Sequence, residues 1–480
     1  MAAQSLGISL YELMLRAGQA AFDVARTAYP AARHWLILCG HGNNGGDGYV
    51  VARLAVAAGI RVTLLAQASD KPLPQEALSA REAWLAADGV IHSTAIPWPQ
   101  DADLIIDGLL GTGLQNAPRE NVASLIEQAN HFPAPIIALD IPSGLNAQTG
   151  TTPGAVVYAH HTITFIALKP GLLTGKARDV VGQLHHHALG LEAWLSQQST
   201  NIHRLDASQL AHWFTPRRPT SHKGDHGRLV VIGGDHGTAG AIRMAGEAAL
   251  RAGAGLVKVL TRVENIVPII TARPELMVDE LTPQSLDESL EWADVVVIGP
   301  GLGQAAWGKQ ALRKIDNFRK PTLWDADALN LLAINPDKRH NRVITPHPGE
   351  AARLLNCKVA EIENDRLLSA QRLVQRYGGV VVLKGAGTIV ADERGVNSII
   401  DAGNAGMASG GMGDVLSGII GALLGQALSP YDAACAGCIA HGAAADELAA
   451  RYGTRGMLAT DLFSTLRRVV NPDVIDVNHD

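Results

Sequence analysis

Cysteine, clustered basic charge and long apolar runs are all scarce in this chain. Four cysteines, Cys39, Cys357, Cys435 and Cys438, are scattered over 480 residues. That is too few for a disulfide framework and fits a reducing compartment. Cys435 and Cys438 have C-x-x-C spacing within the alanine-rich stretch AACAGCIAHGAAADEL. With no second pair to complete a zinc site, they read as small core residues. No apolar run reaches the roughly 18 residues of a membrane span. The start MAAQSLGISLYELML also lacks the charged and apolar regions of a signal peptide. No membrane association and a cytoplasmic location are expected. No Lys/Arg run is flanked by aromatics, and a formal charge of −6 leaves no basic footprint for nucleic acid. Glycine, by contrast, is abundant: 50 residues, alongside 47% hydrophobic and 18% charged residues, describe a globular α/β chain with many strand-to-helix turns.

The chain is long enough for two to three domains at about 150 residues each. SLYE, Ser9 to Glu12, has the form of a capping box, and Leu13, Ala17, Ala20 and Val24 follow at helical spacing until Pro30. Short apolar runs then alternate with helical patterns: WLILC, IRVTLLA, DLIIDG, PIIALD and TITFIAL. This predicts a parallel sheet covered on both faces, a doubly wound domain. Between 190 and 222 the pattern loosens, with Pro216 and Pro219 interrupting it, so the expected domains are 1–200 and 201–480. A second α/β run follows: RLVVIGG, GLVKVLT, DVVVIGPG, PTLWDAD, NRVITPHPGE, GGVVVLKGAGT, then DAGNAGMASGGMGDVLSGIIGALLG. The halves share no alignable repeat, so two different domains are joined rather than one duplicated.

In an open parallel sheet, ligands bind beyond the carboxyl ends of the strands. In the first half that edge collects three loops: GHGNNGGDG after WLILC, Asp107 and GLLGTG after DLII, and Asp140 with IPSG after PIIAL. Taken singly, Asp47 reads as a helix cap and Asp140 as a turn residue. Together the loops bring two carboxylates and the side-chain oxygens of Asn44 and Ser143 to one cleft, suited to a cation beside a phosphate. A Rossmann dehydrogenase competes, since G-x-G-x-x-G matches Gly40, Gly42 and Gly45. It needs an acidic residue at the end of the second strand, however, and IRVTLLAQ ends in neutral ones.

The combination NNGGDG, DGLLGTG and DIPSG resembles the epimerase domain of NAD(P)H-hydrate repair enzymes, over most of residues 1 to about 200. The resemblance implies a Rossmann-like three-layer αβα sandwich. It places the hydrate at Asn43, Asn44, Gly45, Gly46 and Asp47 and at Gly111, Thr112, Gly113 and Leu114. It further implies that Asn44, Asp107 and Ser143 ligate potassium, and that Asp140 lies at the reacting ring. The family's domain usually has a longer lead-in before LYELMLRAG, which implies a late start here. Loss of hydroxide from the hydrate gives an iminium that water rejoins from either face, and a carboxyl group can shuttle the proton. Asp140 is assigned that catalytic role.

In the second half, GGMGD (Gly410 to Asp414) opens a helix whose first-turn N–H groups and dipole suit a phosphoryl group. Asp414 reads either as a first-turn carboxylate or as the base that deprotonates an attacking hydroxyl. With VLKGAGT upstream, this resembles a ribokinase-like αβα domain. HKGDHG, VIGGDHGTAGA, GPGLG, DADALN and TPHPGE narrow it to the ADP/ATP-dependent NAD(P)H-hydrate dehydratases, over about residues 220 to 480. The resemblance implies that Ala241, Gly303, His347 and Asp414 meet the hydrate, with Asp414 catalytic. It implies that Lys384, Gly385, Ala386, Gly387, Thr388 and Gly413 meet the nucleotide.

The expected protein is thus bifunctional. It epimerises the R and S forms of NADHX and NADPHX, then dehydrates the S form at the expense of ADP, giving AMP and phosphate. Epimerase before dehydratase is the bacterial order, which favours ADP over ATP; magnesium is expected on the phosphates. Glycine- and alanine-rich helices suit a homo-oligomer. Two rivals stand: a ribokinase-like kinase for a small alcohol or vitamin precursor with a nucleotide-binding accessory domain, and a non-catalytic nucleotide sensor.

Overall fold

A computed structural model describes residues 5–472 of the chain. Backbone contacts divide it into two compact units, Met1–Thr200 and Asn201–Asp480.

In the first unit, helix α1 (Leu10–Ala28) starts where Ser9 Oγ accepts a hydrogen bond from Glu12 N at 3.0 Å. It is followed by β1 (His34–Cys39), α2 (Asn43–Ala57), β2 (Arg61–Ala66), β3 (His92–Ser93) and β4 (Leu104–Gly108). The unit's last strands are β5 (Ile136–Leu139), β6 (His161–Phe165) and β7 (Gln183–His187). Every strand pair is parallel, in the order β3-β2-β1-β4-β5-β6-β7. Along β1 the side chains alternate between two cores: Trp35, Ile37 and Cys39 pack with α1 and α2, while Leu36 and Leu38 pack with the helix Glu120–His131. Both faces are therefore dry, which is why the strand reads as an unbroken apolar run. The strand order reverses between β1 and β4, and this opens a crevice at their carboxyl ends.

The second unit contains β8 (Ile202–Leu205), β9 (Arg228–Ile232), α3 (Ala239–Arg251), β10 (Leu256–Thr261), α4 (Val263–Ala272) and β11 (Met277–Glu280). It continues with β12 (Val295–Ile298), α5 (Ala306–Ile315), β13 (Thr322–Trp324), β14 (Arg342–Ile344), α6 (Pro348–Leu355) and β15 (Val380–Leu383). It closes with β16 (Ile389–Asp392), β17 (Asn397–Ile400), α7 (Met412–Gly425) and α8 (Pro430–Tyr452), followed by a short helix. The sheet order is β11-β10-β9-β12-β13-β14-β15-β16-β17-β8, again reversing beside the first strand of the winding. Helices α3 and α7 approach closely on one face: a Cβ on Gly418 would lie 2.1 Å from the carbonyl oxygen of Ala245. Cys435 and Cys438 are buried, unpaired core residues of α8. Among the described residues, no helix is long and apolar enough to cross a membrane.

Three local features were not legible in the sequence. The segment NNGGDG is the opening of α2 rather than a loop. Its glycines serve close packing: a Cβ on Gly40 would lie 1.8 Å from Leu109 O, and one on Gly45 2.1 Å from Gly40 O. β16 runs antiparallel to both β15 and β17, so the second sheet is mixed. Finally, the stretch where the pattern loosens contains β8, an edge strand parallel to β17. Its four residues IHRL are half exposed, which erases the apolar run that marks a buried strand.

Candidate functional site

In the first unit, the crevice between β1 and β4 gathers α2, the loop after β4 and the loop after β5. Asp107, near the end of β4, is fully buried. Its Oδ1 accepts from Ser143 Oγ at 2.6 Å and from Leu109 N at 3.2 Å, and its Oδ2 accepts from Ser143 N at 2.9 Å. Burial pushes its carboxyl up to about 6 despite these bonds. Asn44 Nδ2 donates to Leu110 O at 2.9 Å, while the buried Asn44 Oδ1 has no partner. Leu110 N in turn donates to Ser143 Oγ at 2.8 Å. One loop carbonyl and one loop N–H thus tie the three side chains together. An orphaned amide oxygen, a hydroxyl and a carboxylate form an all-oxygen donor set, the donor chemistry that holds hard cations. Such a cation would offset the buried charge of Asp107 and satisfy Asn44.

Asp140 follows β5 with φ 63°, a left-handed backbone that turns its side chain back over β6. Its Oδ1 accepts from Lys169 Nζ at 2.5 Å, Phe165 N at 3.1 Å and Thr164 Oγ1 at 3.2 Å. Lys169 Nζ also donates to Thr164 Oγ1 at 2.9 Å and Phe165 O at 2.8 Å. Asp47 is buried in α2, and burial, then the nearby Asp140, push its carboxyl well up, partly opposed by Lys169. Asp47, Asp140 and Lys169 are therefore neighbours. Asn43 is exposed at the first turn of α2, and Thr112 and Gly113 are exposed on the loop after β4, flanked by half-buried Gly111 and Leu114. Lys169 was not singled out from the sequence: it lies beyond β6, whose following loop carries no glycine-aspartate motif.

In the second unit, Asp325 at the end of β13 is the hub. Its Oδ1 accepts from Lys384 Nζ at 3.0 Å and its Oδ2 from Ser417 Oγ at 2.8 Å. Gly411, with φ 89°, turns the chain into α7. A Cβ on Gly413 would stand 3.2 Å from Lys384 Nζ and 3.8 Å from Asp325 Oδ2, so the first turn of α7 faces this pair. Asp414, in that turn, has its carboxyl pushed up to about 7 by burial and by Asp325, with Lys384 opposing. His347 caps α6: its Nδ1 accepts from Gly349 N at 2.9 Å, while its backbone N donates to Glu350 Oε2 at 2.8 Å. An accepting Nδ1 leaves the ring proton on Nε2. Burial, then Lys384, lower the His347 ring below its ordinary range, and burial raises Glu350 to about 7.

The turn Lys384 to Thr388 is built by Thr388 Oγ1, which accepts from Gly385 N at 3.3 Å and donates to Gly385 O at 3.1 Å. Buried Arg366 donates through Nη2 to the carbonyls of Leu383 and Lys384 at 3.2 and 3.1 Å, fixing the strand end that carries Lys384. Ala241 lies in the first turn of α3. Gly303 has φ 72°, and its N donates to Asp327 Oδ2 at 2.9 Å. These residues occupy one edge of the sheet, with His347, Lys384 and Asp414 directly coupled through Asp325. Asp325 was legible as part of DADALN, since an aspartate immediately after an apolar strand sits at the ligand edge; its role as hub was not. Buried His441 of α8 was missed altogether. It hydrogen bonds to the Met412 backbone, burial pushes its ring down to about 4, and its Nε2 is unpaired.

Comparison with known proteins shows the family of the chain. The chain is 78% identical over 479 residues to the bifunctional NAD(P)H-hydrate repair enzyme of Escherichia coli, covering all of this chain and 93% of that one. The chain belongs to the bifunctional NAD(P)H-hydrate repair enzyme family. The enzyme of that name from Leishmania braziliensis is 48% identical, over 98% of this chain and 92% of that one. Within the family's two-part plan, residues 10–171 match the YjeF-related protein N-terminus and residues 229–468 match NAD(P)H-hydrate dehydratase. The second half also resembles the crystal structure of the Bacillus subtilis ADP/ATP-dependent NAD(P)H-hydrate dehydratase, co-crystallised with ATP and magnesium. That match has 27% identity and a TM-score of 0.52, covering 57% of this chain and 99% of that one. The fold is therefore α/β throughout, with a ribokinase-like second half, and the chain carries the family's epimerase and dehydratase domains in that order.

Proposed function

We propose that the first site interconverts the R and S hydrates of NADH and NADPH, and that the second dehydrates the S form with ADP, yielding AMP and phosphate. The observation that carries the reading is Asp414, in the first turn of α7 beside Lys384 and Asp325, with a carboxyl poised at about 7. A carboxyl that titrates near neutral pH is matched to accept a proton from a hydroxyl as it attacks. The hydrate's hydroxyl oxygen bonds to the terminal phosphorus of ADP, Asp414 takes the proton, and AMP departs. The ring nitrogen's lone pair then expels phosphate to give a ring iminium, and loss of a proton from the adjacent ring carbon restores the dihydronicotinamide. Lys384, anchored by Asp325, holds nucleotide phosphate, and His347 offers its Nε2–H to the hydrate. Magnesium would be held through the nucleotide's phosphates and would offset their charge. Among the described residues, no cluster of three or more His, Cys, Asp or Glu side chains is arranged as a metal site.

In the first site, Asp140 exchanges the proton as hydroxide leaves and water returns, and Lys169 fixes its orientation. Asn44, Asp107 and Ser143 would hold potassium, which supplies positive charge beside the pyrophosphate. The four unpaired cysteines, three of them buried, support a reducing, cytoplasmic setting. Alanine- and glycine-rich helices support a homo-oligomer. Paired substitutions test the division of labour. Asp414→Asn should abolish dehydration and leave epimer exchange intact, and Asp140→Asn should do the reverse. Loss of both activities from either change would overturn it, as would normal epimer exchange in Asp140→Asn.

A further inference from the structure

The residues assigned to the hydrate in the second unit offer its phosphates no side-chain cation. Ala241, Gly303, His347 and Asp414 include no permanent positive charge, and Lys384 is engaged by Asp325 at 3.0 Å on the nucleotide side. Arg243, in the same helix as Ala241, is bound to Glu247 at 2.9 Å.

Arg262 lies immediately past β10, on the strand-end edge that carries both motif loops after β9 and β12. Its Nε donates to Asp235 Oδ1 at 2.8 Å, and its guanidinium carbon sits 4.3 Å from the centre of the Trp307 ring on α5. Asp235 is itself fixed, its N donating to Gly301 O at 2.6 Å. Asp235 Oδ2 lies 2.5 Å from where a Cβ on Gly303 would stand, so Arg262 is one side chain removed from Gly303. The Arg262 side chain is 26% exposed, and among the described residues neither of its terminal amino groups has a hydrogen-bond partner. One edge of the planar fork is used to orient it, one face is stacked, and the remaining donors are preorganised for an anion.

We propose that Arg262, oriented by Asp235 and stacked on Trp307, binds a phosphate group of the dinucleotide hydrate in the dehydratase site. The proposal rests on the dehydratase reading of that site. It makes Arg262 an affinity and specificity residue, separate from the proton transfer at Asp414.

The test compares the full chain with Arg262→Ala and Arg262→Lys, measuring ADP-dependent dehydration of NADH hydrate and of NADPH hydrate. Arg262→Ala should raise KM for the hydrate about tenfold or more, as expected for loss of one charge-assisted hydrogen bond. kcat and the KM for ADP should stay within about twofold, which simple misfolding would not leave untouched. Arg262→Lys should recover part of the loss. An equal effect on both hydrates assigns the pyrophosphate, and an effect confined to NADPH hydrate assigns the extra phosphate. An unchanged hydrate KM, or a parallel loss of kcat and ADP affinity, overturns the proposal. If the wild-type chain shows no ADP-dependent dehydration, the dehydratase reading itself has failed, and the two failures are distinct.

Discussion

Replacing Asp414 by asparagine should stabilise the second unit while destroying its activity, and the gain should depend on pH. The carboxyl is raised from an ordinary value of 3.8 to about 7, chiefly by burial and then by Asp325. A folded-state carboxyl that holds its proton more tightly than the unfolded chain leaves the wild type progressively less stable as pH rises from about 4 to about 7, with no further loss above. Each unit is worth about 1.4 kcal/mol, so the full span is about 4 kcal/mol. Asp414 is only partly buried, which discounts the gain to about 2 kcal/mol. For a unit of this size that corresponds to a Tm higher by about 4–8 °C at pH 8.5, with a smaller difference at pH 5. The assay is thermal unfolding of both proteins at the two pH values, with dehydration measured on the same samples. An asparagine variant less stable than wild type at pH 8.5, or a difference that does not change with pH, would refute the reasoning.

Other expectations follow from the same geometry. Asn44→Ala or Asp107→Asn should weaken hydrate binding in epimer exchange and abolish its response to potassium, leaving dehydration unchanged; exchange rates with and without potassium check this. Lys169→Ala removes three donated hydrogen bonds around Asp140 and should slow epimer exchange more than Lys169→Arg, with both domains folded by circular dichroism. Because Asp414 must be ionised to accept a proton, wild-type dehydration should rise with pH through about 7. Gly418→Ala should destabilise the second unit by about 1–3 kcal/mol, since its new Cβ would lie 2.1 Å from Ala245 O.

The parallel cores were legible because both faces of their strands are buried, as in β1 and β12, where every residue is apolar or shielded. Edge elements were not. β7 reads QLHHH and β8 reads IHRL, and an edge strand with one solvated face leaves no continuous apolar run. The candidate-site loops were legible by position: Asp107, Asp140 and Asp414 each sit at an element end on the carboxyl-end edge of a sheet. What sequence could not supply was pairing at long range. Lys169 reaches Asp140 across β6, and Asp325 joins Lys384 and Ser417 from separate elements. Glycine carried one constraint that its motif did not reveal. In GHGNNGGDG the spacing did not show that Gly40 and Gly45 are required by backbone atoms packed against them.

The most direct test supplies the full chain with a mixture of R and S hydrates of NADPH and follows recovery of dihydronicotinamide absorbance. Complete recovery should require ADP, with AMP and phosphate formed in step. Asp140→Asn should halt after the S form is consumed. Recovery without any nucleotide, or a stable phosphorylated product in place of NADPH, would contradict the account.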